Sequence, residues 1–296
     1  MKHRLAAGIL ILSVLLLACT WTIETREPTV PPVSGQSMRV VMFDIGQGDS
    51  ILVVSPNRQT MLIDGGNSAK DGREVILPYL KANGFDRLNV MVLTHPDADH
   101  VGGLPEVLRG IPVDRVVSTG QVHTTQIYAE FLQELGTARD ERGTQVIRGV
   151  AGVEIPFDAA VKVEVLGPDR AAIDGSDLNN ASVVLRLTYG EVSVLFTGDA
   201  EQAEEAWMIA GKKDPSAQIL KVSHHGSQTG SSDAFLKAVG AQVGLISCGA
   251  NNNYGHPHAE VLERLARHGV EVYRTDKLGT IEVEIDASGW KIISER

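Results

Sequence analysis

The sequence has few cysteines. Its 296 residues include only Cys19 and Cys248. Cys248 follows a short apolar stretch and has no plausible disulfide partner, so the fold must be held together by a hydrophobic core rather than by disulfide bonds. We therefore expect Cys248 to be a buried, inert thiol.

Positive charge and aromatic side chains are also scarce. The 27 Lys and Arg residues are outnumbered by 37 Asp and Glu, which gives a formal net charge of -10, and aromatic residues make up 5% of the chain. Such a protein repels polyanions and offers no visible basic or stacking track for a nucleic-acid strand. Neither a Gly-x-Ser-x-Gly elbow nor a Walker phosphate loop is present, which argues against a serine hydrolase and a nucleoside triphosphatase.

The first 18 residues have the pattern of an export signal. After a basic start, an apolar run from Leu5 to Ala18 is shorter than the roughly 20 residues that a membrane helix needs. Residues 16–19 (Leu-Leu-Ala-Cys) resemble the bacterial lipobox, in which cleavage precedes a cysteine that receives a lipid. This resemblance implies a signal peptide over 1–18, a lipidated Cys19 and an exported protein on the outer face of the cytoplasmic membrane. An uncleaved anchor or a freely secreted protein remains the alternative.

Residues 19–37 contain three prolines and no apolar periodicity, which predicts an extended tether. Residues 38–296 show no internal repeat and no linker, and we expect them to form one domain. The apolar patterns predict strands at 39–43, 51–54, 60–63, 90–93, 113–118, 161–166, 182–187, 192–196, 219–222 and 243–247, and helices at 74–82, 126–135, 201–210, 233–239 and 258–268. This mixture is a strand-rich α/β protein.

Polar clusters directly follow several of the predicted strands. Asp64, His95, Asp199 and the pair His224-His225 each lie at or just beyond such a strand end. A rigid sheet holds the loops at its strand ends around one crevice. The sequence therefore predicts one shared site.

The segment from His95 to His100 has the composition of a metal site. It places His95, Asp97, Asp99 and His100 within six residues. Alternate residues of an extended loop can converge, and His100 adds a ligand on the other side, so the segment can serve two adjacent ions. So dense a cluster would repel itself unless a cation offset the carboxylates.

This segment resembles the His-x-His-x-Asp-His signature of the metallo-β-lactamase superfamily, in the His-x-Asp-x-Asp-His form of the ComEC-type competence proteins. The resemblance continues, in family order, through residues 43–50, 64–66, 180–185, 196–199 and 224–227. It implies an α/β fold of the metallo-β-lactamase kind, a four-layer αβ/βα sandwich in which two mixed sheets pack together with helices outside.

The resemblance also implies roles for individual residues. The expected metal ligands are His95, Asp97, Asp99, His100, Asp199 and His224, with Asp199 bridging two divalent ions. Asp64, Asp44 and Asp49 are expected to orient the metal ligands without binding metal themselves. For Asp64, a turn carboxylate that bonds its own backbone is the alternative. The residues expected to take part in catalysis are Asp99, Asn180, His225 and His256.

Two departures from the signature affect the choice of metal. Residues 179–182 (Asn-Asn-Ala-Ser) stand where many members have a third histidine, and Asp97 replaces the second histidine. Both changes exchange nitrogen for oxygen, which shifts preference from zinc toward manganese or magnesium. Manganese and zinc both remain open, with magnesium as a further option.

The histidine pair leaves a second choice open. One member should complete the second metal, and the other should donate a proton to the leaving oxygen. His224 is favoured as the ligand because it lies nearer the strand end, and the reverse assignment remains open. His256 lies in a loop similar to the Tyr-Gly-His-Pro of ComEC-type domains and is expected to contact substrate, an ordinary loop being the alternative. We expect His123 and His268 to be isolated and exposed.

Two close cations can lower the pKa of a bridging water enough to supply hydroxide, which suits hydrolysis of a phosphodiester. The sequence thus predicts a metal-dependent phosphodiesterase or nuclease of the ComEC-like family, linked to DNA uptake or processing outside the membrane. Alternatives are hydrolysis of a small envelope ester, such as a phosphorylcholine-type ester or a lactone, and a non-catalytic lipoprotein. The expected partners are a phosphodiester or small-molecule substrate, with DNA as one option, and the membrane through the N-terminal lipid. No obligate protein partner is inferred.

Overall fold

The computed structural model describes residues 37–175 and 177–296. The predicted signal peptide, the lipidated Cys19 and all of the tether except Ser37 lie outside the described residues, so these assignments stay predictions. Within the described ranges, no helix has both the length and the apolar character needed to cross a membrane.

Fourteen strands of the described chain form two sheets. In chain order they are β1 Met38–Met42, β2 Ile51–Val54, β3 Thr60–Ile63, β4 Leu88–Leu93, β5 Val113–Ser118, β6 Gln145–Arg148, β7 Lys162–Gly167, β8 Val184–Tyr189, β9 Val192–Phe196, β10 Ile219–Lys221, β11 Val243–Ile246, β12 Glu271–Arg274, β13 Ile281–Asp286 and β14 Gly289–Ser294.

Both sheets are mixed. The first has the order β14-β13-β1-β2-β3-β4-β5-β6, antiparallel from β14 to β3 and parallel from β3 to β6. The second has the order β12-β11-β10-β9-β8-β7, parallel from β12 to β9 and antiparallel from β9 to β7. Parallel strands place their carboxyl ends at one edge, which is where ligand sites form in such sheets.

Helices connect the strands. They are α1 Ala69–Asp71, which continues through a π-helical turn at Gly72–Ile76 into α2 Leu77–Ala82, then α3 Ala98–Val101, α4 Leu104–Gly110, α5 Gln126–Arg142, α6 Gln202–Ala210, α7 Asp233–Val239, α8 Ala259–Arg267 and α9 Thr275–Leu278. Single 3₁₀ turns occur at Arg170–Asp174, Asn179–Ala181 and Ser223–Gly226.

The core lies between the two sheets. Val40 and Val53 of the first sheet share one buried cluster with Val194 and Ile219 of the second. Leu195 belongs instead to a cluster on the outer face of the second sheet, because successive strand residues point to opposite faces. Each such side chain contributes about 1.5–3 kcal/mol through burial.

The outer cluster of the second sheet includes residues of three helices, namely Met208 of α6, Phe235 and Leu236 of α7, and Val261 and Leu265 of α8. The prediction of an α/β sandwich with two mixed sheets and helices outside is confirmed.

Candidate metal centre

The site is assembled from the carboxyl ends of five strands. Asp64 follows β3, Thr94 and His95 follow β4, and Asp199 follows β9 after a tight turn at Gly198. The 3₁₀ turn at Ser223–Gly226 follows β10, and Ser247 follows β11. Asp99 and His100 lie on the short helix α3. The fold therefore brings distant polar clusters of the sequence to one edge of the sandwich.

Three imidazoles converge on Asp199. Ligand atoms of His95, His100 and Asp199 lie within 4.8 Å of one another, and so do those of Asp99, His100 and His225. Asp199 Oδ1 is 3.3 Å from His100 Nε2, while its Oδ2 is 3.4 Å from His225 Nε2. Asp199 therefore directs Oδ1 at the first of these two groups and Oδ2 at the second.

Several of the converging ligand atoms are buried and make no hydrogen bond within the described part of the chain. Among the described residues, the Nε2 atoms of His95, His100 and His225 and Oδ1 of Asp199 have no hydrogen-bond partner. Each buried polar atom left in this way costs about 1–3 kcal/mol. Because they point at the same space, bound cations would satisfy all of them, and the donor set fits divalent metal ions.

The opposite nitrogen of each ring is held by a neighbour. Nδ1 of His95 is 3.0 Å from Thr94 Oγ1, and Nδ1 of His225 is 3.0 Å from the Ser247 carbonyl oxygen. Nδ1 of His100 is 2.8 Å from Oδ2 of Asp64. Such partners fix the ring orientation and leave Nε2 free to act as a ligand. Asp64 thus lies behind His100, in the position expected of a supporting carboxylate.

A fully buried lysine also belongs to the site. Lys221 Nζ lies 2.5 Å from Asp49 Oδ2 and 3.9 Å from Asp199 Oδ1, and it donates to the Gly198 carbonyl at 3.1 Å. Burial alone would lower the pKa of Lys221, but Asp49 and Asp199 outweigh it and raise that pKa. The ammonium group therefore stays charged. No pattern in the sequence singles out Lys221, because it is the last residue of a short, buried and otherwise apolar strand.

Strong electric fields act on the titratable groups. Burial would lower the pKa of His100, but Asp199 and Asp64 hold it well above its ordinary value. Burial would raise the pKa of Asp199, but His225 and His100 hold it well below the ordinary value. The carboxylates therefore remain ionised in a buried place, where they attract cations.

The structure distinguishes the two histidines of the pair. His225 is buried and its Nε2 is 3.4 Å from both Asp99 Oδ2 and Asp199 Oδ2. His224 is partly exposed, with Nε2 3.5 Å from Asp199 and Nδ1 3.1 Å from Glu201 Oε1. This geometry favours His225 as the ligand, the order opposite to the one preferred from sequence. Both residues have left-handed backbone angles, with φ of 47° and 53°, and their rings lie 6.0 Å apart at 72° to each other.

Asp97 lies at the rim of the site. Its Oδ2 is 3.6 Å from His95 Nε2, and hydrogen bonding to His95 lowers its pKa. His123 Nε2 lies 3.9 Å from Asp97 Oδ1. The expectation that His123 is isolated was wrong, because its loop folds back toward Asp97. His268 is not isolated either, since its Nε2 is 2.9 Å from Asp233.

Two predicted residues have other contacts. The Asp44 carboxylate pairs with Arg296 at 2.6 Å and belongs to none of the converging groups found among the described residues. Asn180 accepts hydrogen bonds from the backbone N–H groups of Glu201 and Glu204 at 3.2 and 3.0 Å. Its amide therefore caps the start of α6, and these contacts lend no support to a catalytic role.

His256 lies beside the histidine pair. The His256 ring lies 5.4 Å from that of His224 and 6.2 Å from that of His225, and Tyr254 stacks on it at 5.6 Å. Burial, and then the neighbouring His225 and His224, lower the pKa of His256 to about 4, so its ring is neutral.

Cys248 is buried as expected, and burial raises the pKa of its thiol to about 11.

Comparison with known proteins gives a consistent match. The sequence model of the Metallo-beta-lactamase superfamily matches residues 43–250. ComE operon protein 3 of Bacillus subtilis is 34% identical over 273 residues, which cover 85% of this chain and 33% of that protein. Competence protein ComA of Neisseria gonorrhoeae is 33% identical over 285 residues, which cover 94% and 36%. The chain thus spans about a third of the length of these relatives.

Solved structures share the fold at low identity. Igni18, described as a novel metallo hydrolase from Ignicoccus hospitalis, superimposes with a TM-score of 0.51 at 16% identity, covering 82% of this chain and 98% of that one. The E377D mutant of CmlA beta-hydroxylase superimposes with the same TM-score at 14% identity, covering 82% and 53%. At this identity the likeness concerns the fold alone.

Proposed function

We propose that this chain, which belongs to the metallo-beta-lactamase superfamily and is a ComEC-type domain of it, is a metal-dependent phosphodiesterase that cleaves DNA outside the cytoplasmic membrane. One observation carries the proposal. Three buried imidazoles and Asp199 direct atoms without hydrogen-bond partners among the described residues at the same space.

Two divalent ions would be held around Asp199. His95 and Asp97 would bind one ion, and Asp99, His100 and His225 the other. When bound, such ions activate water as a nucleophile and neutralise charge that develops on a phosphoryl oxygen. The oxygen-rich donor set favours manganese, with zinc and magnesium as the alternatives.

The contacts of His224 support a role in protonating the leaving group. Its Nδ1 is 3.1 Å from Glu201 Oε1 and 3.2 Å from Thr229 Oγ1, which fix the ring, and its Nε2 lies 3.5 Å from Asp199 Oδ2. With His225 as the proposed ligand, His224 is the member of the pair that would donate a proton to the departing oxygen. Glu201, which the Asn179 amide also contacts at 3.2 Å, orients it.

Tyr254 and His256 offer a surface for the substrate. Tyr254 is 65% exposed and stacks on His256, whose ring lies beside the histidine pair. A nucleobase can stack on such a ring without regard to its sequence. This pair would position the nucleotide next to the scissile bond.

The choice of DNA as substrate comes from the relatives. One of them is named Competence protein ComA, another ComE operon protein 3, and a third, of Haemophilus influenzae, is named Recombination protein 2. The location outside the membrane rests on the lipobox-like residues 16–19. Because the net charge is -10, bound cations would have to offset repulsion of the DNA backbone.

Purified protein loaded with manganese should be offered single-stranded and duplex DNA, bis-p-nitrophenyl phosphate and a β-lactam. We expect cleavage of DNA and of the small diester, with neither detected after chelation of the metal or in Asp199→Ala. Turnover of the small diester without DNA cleavage would refute the nuclease assignment, and absence of turnover with two ions bound would refute the enzyme assignment.

A further inference from the structure

Lys221 lies in the parallel part of the second sheet. It is the last residue of β10, which pairs with β9 on one side and β11 on the other, and its side chain is 1% exposed. Lysine is almost never fully buried unless it is paired. The position therefore requires a specific reason.

Its ammonium group has the surroundings of a bound cation. Oxygens of three residues surround Nζ, from the Asp49 carboxylate at 2.5 Å, the Gly198 carbonyl at 3.1 Å and the Asp199 carboxylate at 3.9 Å. Carboxylate and carbonyl oxygens are the ligands that hard divalent cations prefer.

The same place has the ligands for a metal ion. Ligand atoms of Asp49, Asp199 and His225 lie within 4.8 Å of one another, as do those of Asp49, Asp64 and His100. Asp49 is 1% exposed, and without Lys221 it would be a buried carboxylate free to bind a cation.

We propose that Lys221 is a built-in cation that occupies a third cation position beside Asp49, keeps Asp49 out of metal coordination and so limits the centre to two divalent ions. This inference rests on the proposed binuclear site. It makes Lys221 a positioning residue, because it acts through Asp49 and Asp199 rather than on the substrate.

The charges of the site agree with this assignment. The five aspartates Asp49, Asp64, Asp97, Asp99 and Asp199 carry five negative charges when ionised. Two divalent ions would supply four positive charges, and Lys221 supplies the fifth. A third divalent ion in addition to Lys221 would leave a surplus of buried positive charge, which is costly.

Metal binding tests the proposal directly. Equilibrium dialysis against manganese, followed by elemental analysis, should give two ions for the wild-type chain. Lys221→Ala removes a charge and opens space, so we expect a third manganese ion, or binding of the existing ions at least about tenfold tighter. Lys237→Ala, on the exposed surface of α7, is the matched control and should leave the stoichiometry and affinity unchanged.

The double variant Lys221→Met/Asp49→Asn tests the proposal without leaving an unpaired buried charge that could unfold the protein. It removes both charges of the pair, and we expect it to bind two ions with nearly wild-type affinity. Asp49→Asn alone leaves the Lys221 charge unbalanced and should weaken manganese binding by about tenfold or more.

Folded Lys221→Ala that binds two ions or fewer, with unchanged or weaker affinity, would overturn the proposal and leave Lys221 a packing residue. A double variant that binds metal no better than Asp49→Asn alone would also overturn it. Failure of the wild-type chain to bind two ions would instead overturn the proposed function.

Discussion

Asp64 joins the end of β4 to His100. One carboxylate oxygen accepts the Thr94 backbone N–H at 2.8 Å, and the other lies 2.7 Å from Thr94 Oγ1 and 2.8 Å from His100 Nδ1. Asp64 is fully buried and has a left-handed φ of 58°. The geometry of the His95–His100 segment therefore depends on a residue 31 positions before its start.

Asp64→Asn tests this dependence. An amide replaces one acceptor oxygen with a donor, so it cannot accept from the Thr94 backbone N–H, which uses one oxygen, and from His100, which uses the other, at the same time. We expect manganese affinity to fall by about tenfold to a hundredfold, as measured by calorimetry, since losing such a partner misorients the imidazole. Asp44→Asn, at the surface pair with Arg296, should retain wild-type affinity; an equal loss there would contradict the assignment.

The histidine pair should separate metal binding from catalysis. His225→Ala removes a ring aimed at Asp99 and Asp199, so metal content and hydrolysis should both fall. His224→Ala should keep both ions and lose about a hundredfold or more in kcat, the usual contribution of general acid catalysis. Elemental analysis beside turnover of bis-p-nitrophenyl phosphate measures both, and the reverse pattern would restore His224 as the ligand.

Metal removal should lower the stability of the fold. Bound ions satisfy buried atoms that lack hydrogen-bond partners among the described residues, and at a free concentration a hundred times Kd one bound ion adds about 2.7 kcal/mol to the free energy of unfolding. Thermal unfolding of the protein with excess manganese and with chelator should therefore differ by several degrees. Identical melting curves would mean that the cluster binds no ion.

Glu204 provides a test of stability against pH. It is 3% exposed, and burial raises its pKa well above the ordinary 4.5. Its folded pKa thus exceeds the unfolded one, so its contribution is fully present below about pH 4.5 and falls as the pH rises toward the folded value. The slope is about 1.4 kcal/mol for each pH unit in that window.

Glu204→Met should therefore gain stability relative to the wild type as the pH rises from 4 to 8, as measured by denaturant unfolding. Glu191→Met, at an exposed position, is the control and should show no such trend. A stability difference that does not change with pH would show that Glu204 is not protonated in the fold.

The sequence predicted the parts of the site that are local. His95, Asp97, Asp99 and His100 share one loop and short helix, so their spacing alone predicts a candidate metal cluster there. Several strand ends were also readable, because β-branched runs such as β9 stop where Gly198 and Asp199 begin. Packing a sheet on both faces requires these apolar runs, which is why the α/β sandwich could be predicted.

The features that the sequence did not predict depend on tertiary contacts between distant parts of the chain. Nothing near Lys221 in the chain indicates that its partner is Asp49. The order of His224 and His225 depends on turn angles that residue types do not specify. The strands β6 and β12 to β14 were not predicted. In β13 the buried Glu282 interrupts the apolar pattern because its partner is Arg39 of β1, which its carboxylate contacts at 2.7 Å.

The backbone of the 224–226 turn has a consequence for evolution of the site. Three successive residues have left-handed angles, with φ of 47°, 53° and 82°, and only the third is glycine. Left-handed geometry costs a non-glycine residue roughly 1–2 kcal/mol. Histidine at 224 and 225 therefore lowers the stability of the turn in exchange for its side chain, and replacing His224 with glycine should relax the turn while removing the proposed proton donor.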